Sequence, residues 1–160
     1  VSYLGALYQA LLDISDWVER GIEPAASSGY EMDGGQVRIK ASAAERKGVQ
    51  PVVDLTAAGG KRAEISVGDT VHFVVVVQLP EGSGDVEEYL WDFEGSNEFL
   101  PKGAVTSTAG NMVRIETEHT FKRPGTHFPV VKVAVNRQPG DIFTKIYNQS
   151  RVRVVVTGRG

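Results

Sequence analysis

Tyr89-Leu90-Trp91-Asp92-Phe93 is the stretch on which the reading of the fold turns. Tyr89, Trp91 and Phe93 alternate, and alternate residues of an extended chain share a face, so one side of a strand receives three aromatic rings. Asp92 points to the other side, within reach of the backbone amides of the following turn. A period-two stripe of this kind reads as a strand, here Glu88 to Phe93.

Working outward, the same pattern recurs. Strands are expected at Val52 to Thr56, Thr70 to Leu79, Met112 to Phe121 and His127 to Asn136, and in a long, breakable segment from Phe143 to Val156. Turn residues punctuate them at Ala58-Gly59-Gly60, Val67-Gly68-Asp69, Pro80 to Asp85, Arg123-Pro124-Gly125 and Gln138 to Asp141. Asn97 to Ala109 reads as a projecting loop. Pro124-Gly125 suits a type II turn, and His127, Pro129, Val131, Val133 and Val135 would share the inner face of the next strand. Pro129, in mid-strand, argues for an edge or a bulge. Many short strands without interleaved helices mean a sandwich or barrel.

The first part of the chain differs. Leu4, Leu7, Leu11, Ile14 and Val18 recur at three- and four-residue steps, so Tyr3 to Arg20 is predicted to be a helix, closed by Gly21 and Pro24. Tyr3, Tyr8, Leu12 and Trp17 lie off that stripe, and a helix apolar on two sides expects cover on both. Pro24 to Gly35 reads as a linker, Gln36 to Lys40 as a short edge strand and Ala41 to Gly48 as a helical turn. Val74 and Val76, and Phe128 and Val130, make the second faces of their strands apolar too. The expectation is a helix and irregular wrap, residues 1–48, packed on a mainly β antiparallel sandwich, residues 49–160.

Beyond periodicity, the motifs resemble a known family. Tyr89-Leu90-Trp91-Asp92-Phe93 is similar to the Tyr-x-Trp-Asp-Phe signature of polycystic-kidney-disease (PKD) domains. His119-Thr120-Phe121-Lys122-Arg123-Pro124-Gly125-Thr126 resembles the family's His-Thr-Tyr-x-x-Pro-Gly-Thr, and Val67 to Phe73 resembles its glycine-led second strand. The resemblance implies an immunoglobulin-like β-sandwich from about Pro51 to Val156. Tyr89, Trp91, Asp92, Phe93, His119, Phe121, Pro124 and Gly125 would then be its structural motif. Glu94-Gly95-Ser96 departs from the usual Gly-Asp-Gly, and His127 stands where the family tends to carry an aromatic. A second run, Trp17 to Pro24 followed by Gly48 to Pro51, is similar to the segment closing the catalytic domain of some secreted α/β-hydrolase-type proteins.

Composition narrows the function classes. A net charge of −3 opposes a nucleic-acid surface. The absence of cysteine excludes disulfides, thiolate metal ligands and a Cys nucleophile. No apolar run approaches the ~20 residues of a membrane span, so membrane insertion is not expected. The chain begins at Val1 without a signal-peptide pattern, and the expectation is a piece or mature product of a longer exported protein, extracellular or periplasmic.

The chemistry-bearing residues are few. No Gly-x-Ser-x-Gly elbow, phosphate loop or His-Glu-x-x-His helix occurs. Of the three histidines, His119 is expected to tether a turn, His127 to fill a core position and His72 to face outward. Asp85, Glu87, Glu88, Asp92, Glu94 and Glu98 cluster around one strand and its turn. Asp92, Glu94 and Asn97 offer oxygens that calcium favours, but at no defined loop spacing, so turn chemistry is the expectation. Tyr30, Phe99, Phe143 and Tyr147 are the aromatics placed to face water and bind. No cofactor is assigned. The sequence thus points to a non-catalytic accessory module, a spacer or a contact to protein or polysaccharide, with a neighbouring domain of its parent chain as a further partner. The alternatives are the C-terminal part of an α/β-hydrolase contributing to its active site, and a cell-surface adhesion module.

Overall fold

A computed structural model describes residues 4–24, 31–46 and 48–158. The chain divides into two compact units, Val1–Arg38 and Ile39–Gly160. In the first, helix α1 (Leu4–Arg20) ends where Gly21 takes φ 69 and donates its amide to the Trp17 carbonyl at 3.1 Å. Its apolar side chains Leu11, Leu12, Trp17 and Val18 are each more than half exposed. Strands β1 (Glu31–Asp33) and β2 (Gln36–Arg38) form a hairpin whose turn residues Gly34 and Gly35 both have positive φ, as a two-residue type I′ loop requires. The end of the expected linker is therefore a strand, and it pairs with the expected edge strand.

The second unit is mainly β. After a 3₁₀ turn at Ala43–Glu45 come β3 (Val52–Ala57), β4 (Arg62–Ser66), β5 (Thr70–Gln78) and β6 (Asp85–Asp92). Then follow β7 (Leu100–Pro101), β8 (Ala104–Ala109), β9 (Met112–Thr120), β10 (Gly125–His127), β11 (Val130–Asn136), β12 (Lys145–Arg151) and β13 (Arg153–Thr157). One sheet runs β3-β5-β9-β8 and a second β12-β11-β6-β7, both antiparallel. A third, β10-β13-β4, contains the parallel pair β13–β4. This is an immunoglobulin-like sandwich with an N-terminal helix in the chain.

The core lies between the sheets and follows the alternation. Val71, Phe73, Val75 and Val77 of β5 meet Trp91, Val131 and Val133 of the opposite sheet, all at 2% exposure or less. Phe73 is the hub, with its ring centroid 5.9 Å from Trp91, 5.3 Å from Phe93 and 6.5 Å from Phe121. Fully burying such side chains stabilises by about 1.5–3 kcal/mol each. Val74 and Val76, for which full cover was expected, are only half-buried.

Two expectations need correction. The projecting loop is instead β7 and β8. β8 pairs along β9 through a turn at Gly110, φ 58, and every one of its residues is exposed. Pro129 is not inside a strand. It separates β10 from β11, so the chain leaves one sheet and joins another there. β12 and β13 part at the same level, where the Val152 amide donates to the Pro129 carbonyl at 3.1 Å.

Candidate functional site

Two groups of polar and aromatic side chains stand out on the sandwich. The first gathers where β6 ends. Asp92, 5% exposed, accepts backbone amides with both oxygens: Oδ1 from Glu94 at 3.1 Å, Gly95 at 2.8 Å and Ser96 at 3.1 Å, and Oδ2 from Asn97 at 2.8 Å. Burial alone would raise its pKa, but these four bonds together outweigh it and hold the carboxyl below the ordinary aspartate range. Asn97 reaches this arrangement at φ 64, a left-handed conformation that Asn tolerates. The lone pairs that a cation would require are directed at N–H groups. Among the described residues no cluster of three or more His, Asp or Glu is set to hold a metal.

Glu94, two residues beyond Asp92, ties three strands' ends together. Oε1 lies 3.1 Å from His119 Nε2, while Oε2 lies 3.3 Å from His127 Nδ1 and 3.5 Å from Arg123. His127 Nε2 donates in turn to the Arg123 carbonyl at 3.2 Å. His119 caps a stack of near-parallel rings, Trp91 to Phe93 at 5.1 Å and Phe93 to His119 at 4.3 Å. Its pKa is lowered, first by burial and then by Lys102 and His127, against the opposing pull of Glu94. A cleft of about 330 Å³ beside the stack is lined by Glu94, Ser96, Glu98, Leu100, Lys102 and His119 among others. His72 lies apart, half exposed, 3.2 Å from Glu116.

The second group covers the outer face of the β12-β11-β6 sheet. Alternation puts Val131, Val133 and Val135 in the core and therefore turns Lys132 outward. Its Nζ lies 4.5 Å from the ring centroid of Tyr147 on β12 and 5.8 Å from that of Phe99 in the turn after β6. On the same face, the Arg151 guanidinium lies 5.9 Å from the ring of Phe128. Tyr147 is 40% exposed and Phe128 48%, while Phe99 is half-buried. The Tyr147 hydroxyl donates to Glu88 at 3.3 Å, and its pKa is pushed up by burial and then by the Glu88 charge.

The structure thus brings together two of the four aromatics singled out in the sequence, Phe99 and Tyr147. Tyr30 and the side chain of Phe143 lie outside the described residues. Sequence reasoning missed Lys132 and Arg151 as members of this face; it placed Phe128 there but expected it to be covered, and it is 48% exposed. The signal was available in the alternation of Phe128, Val130 and Lys132 against the buried valines.

A family model for the PKD domain matches residues 54–141, more than half of the chain. The chain belongs to the PKD domain family. PKD domains are typically non-catalytic extracellular modules. Among solved structures, the chain is similar to the solution structure of the PKD domain from the human VPS10 domain-containing receptor SorCS2. Identity is 18% and the TM-score 0.43, over 86% of this chain and 98% of that one. No curated protein matches. Among the described residues no helix is long and apolar enough to cross a membrane. Within the PKD domain, the motif residues Trp91, Phe93 and Phe121 are core, and Asp92 organises the turn after β6.

Proposed function

We propose that this chain is a non-catalytic accessory module of a larger exported protein, and that it contacts a partner protein through the outer face of β12, β11 and β6. The observation that carries this reading is the gathering of Tyr147, Phe99 and Phe128 around Lys132 and Arg151 on one sheet face. Aromatic residues and arginine are the side chains enriched at protein interfaces, and a rigid sheet presents them with little ordering cost. The competing polysaccharide reading requires open ring faces for sugars to stack on. Here Lys132 and Arg151 already engage those rings, which favours a protein partner.

The test is binding to arrays of purified proteins and polysaccharides, with the native chain and with Phe128→Ser/Tyr147→Ser. Expected is protein capture that the double variant loses while its melting temperature is unchanged. Capture retained by the variant removes this face from consideration, and capture of polysaccharides alone transfers the module to sugar binding. The run Trp17 to Pro24 adds one further element to the proposal, a hydrolase-type parent beside which the module sits.

A further inference from the structure

We infer that the partner presents carboxylates to Lys132 and Arg151, and that it does so as an extended acidic segment with apolar residues between its charges. This rests on the contact-face reading above and adds the chemistry of the partner.

The charges on the sheet divide unevenly. Lys145, on the same face of β12, is bonded to Glu87 at 3.1 Å, and this pairing holds its ammonium charged. Lys132 and Arg151 have no carboxylate within 4 Å among the described residues, and their charges meet only aromatic rings. Glu87 on this sheet is matched by Lys145 and Glu88 is held by the Tyr147 hydroxyl, so Lys132 and Arg151 are the cations left unmatched on a chain whose net charge is −3. Cations resting on half-exposed rings are free to swing toward a carboxylate, with which a desolvated, charge-assisted bond is stronger than the ring contact.

The geometry also limits the shape of the occupant. Lys132 sits opposite Gln149, and Arg151 opposite Val130, so the two cations are diagonal neighbours on adjacent strands. Diagonal positions on one face are about 7–8 Å apart. Residues i and i+2 of an extended chain are separated by about 6.6 Å and share a face, which suits two carboxylates at alternate positions. Apolar side chains flanking them would rest on Tyr147, Phe128 and the half-buried Leu90. Two cations are too few for a nucleic-acid footprint, and the net charge opposes one.

The experiment is selection of a random dodecapeptide display library on the whole chain, followed by affinity measurement of the selected peptides. Expected are peptides enriched in Asp and Glu at alternate positions, with affinity that drops as salt rises. That affinity should fall roughly tenfold or more for Lys132→Gln/Arg151→Gln, with folding checked by circular dichroism. Neutral or basic peptides lost on Phe128→Ser/Tyr147→Ser overturn the acidic partner and leave the contact face standing. Peptides insensitive to both double variants overturn both readings. If no peptide is selected but polygalacturonate binds through Lys132 and Arg151, the occupant is an anionic polysaccharide and the inference is wrong.

Discussion

Replacing Asp92 by Asn and by Ala separates the two things its carboxylate does, accepting hydrogen bonds and carrying charge. Alanine removes the acceptor of four amide bonds in the turn Glu94 to Asn97. A hydrogen bond to a charged group contributes about 1.5–3 kcal/mol, but these amides belong to exposed residues and water recovers part of the loss. The expected cost is therefore about 3 kcal/mol, a substantial share of the roughly 5–15 kcal/mol that holds a domain folded. Asparagine keeps Oδ1 and its three amides, turns an N–H toward the Asn97 amide and loses the charge, so about half that cost is expected. Urea unfolding at neutral pH gives both values, with an unchanged m-value as the control. The pH dependence follows from the lowered carboxyl pKa. Because the folded value lies below the unfolded one near 3.9, the advantage over Asp92→Ala is complete above that pH and declines as acid carries the solution through the folded value. A cost below about 0.5 kcal/mol for alanine, or a gap that persists undiminished to pH 2, refutes the reasoning.

His119 should make stability sensitive to mild acid. Its folded pKa lies below the ordinary value near 6.5, so the unfolded chain takes up the proton more readily. The melting temperature of the native chain should therefore fall relative to His119→Phe as pH drops below 6.5, and parallel curves contradict this. Gly84→Ala should be severely destabilising by thermal melt, because at φ 79 its Cβ would stand 2.0 Å from the Asn136 carbonyl oxygen. Asn136→Ala should cost about 2–3 kcal/mol in urea, since its buried amide bonds Glu87 and the Asp141 carbonyl while its oxygen accepts from Gln138 and Thr144. Lys132→Gln and Arg151→Gln should each cost no more than about 1 kcal/mol, since Arg151 is exposed, Lys132 half-buried, and each loses only ring contacts.

What was legible in the sequence was whatever one-sided burial wrote into it. The alternation of Tyr89, Trp91 and Phe93 and of the β5 valines survives because only one face of each strand fills the core. β8 left no such trace: Ala104 to Ala109 is exposed throughout, so nothing selects a period, and its pairing is set by β9. Pro129 registered as an anomaly, yet a switch between sheets depends on partners far along the chain, and the sequence around it cannot name them. Likewise Glu94 meets His119 and His127 only after β7, β8 and most of β9 have intervened, and no local spacing encodes that meeting. Phe99 and Tyr147 were legible as aromatics near turns; the lysine between them came from a third strand.

The parallel pairing of β13 with β4 has a mechanical consequence. Five register pairs, from Arg62–Arg153 to Ser66–Thr157, lie side by side with both strands pointing the same way. Tension applied at the leading end of β4 and the trailing end of β13 pulls along the strands, so the bonds between them share the load and must slip together. An antiparallel hairpin pulled at its open ends yields one rung at a time. Load entering at Arg62 and leaving at Thr157 would thus be resisted by shear of this short ladder.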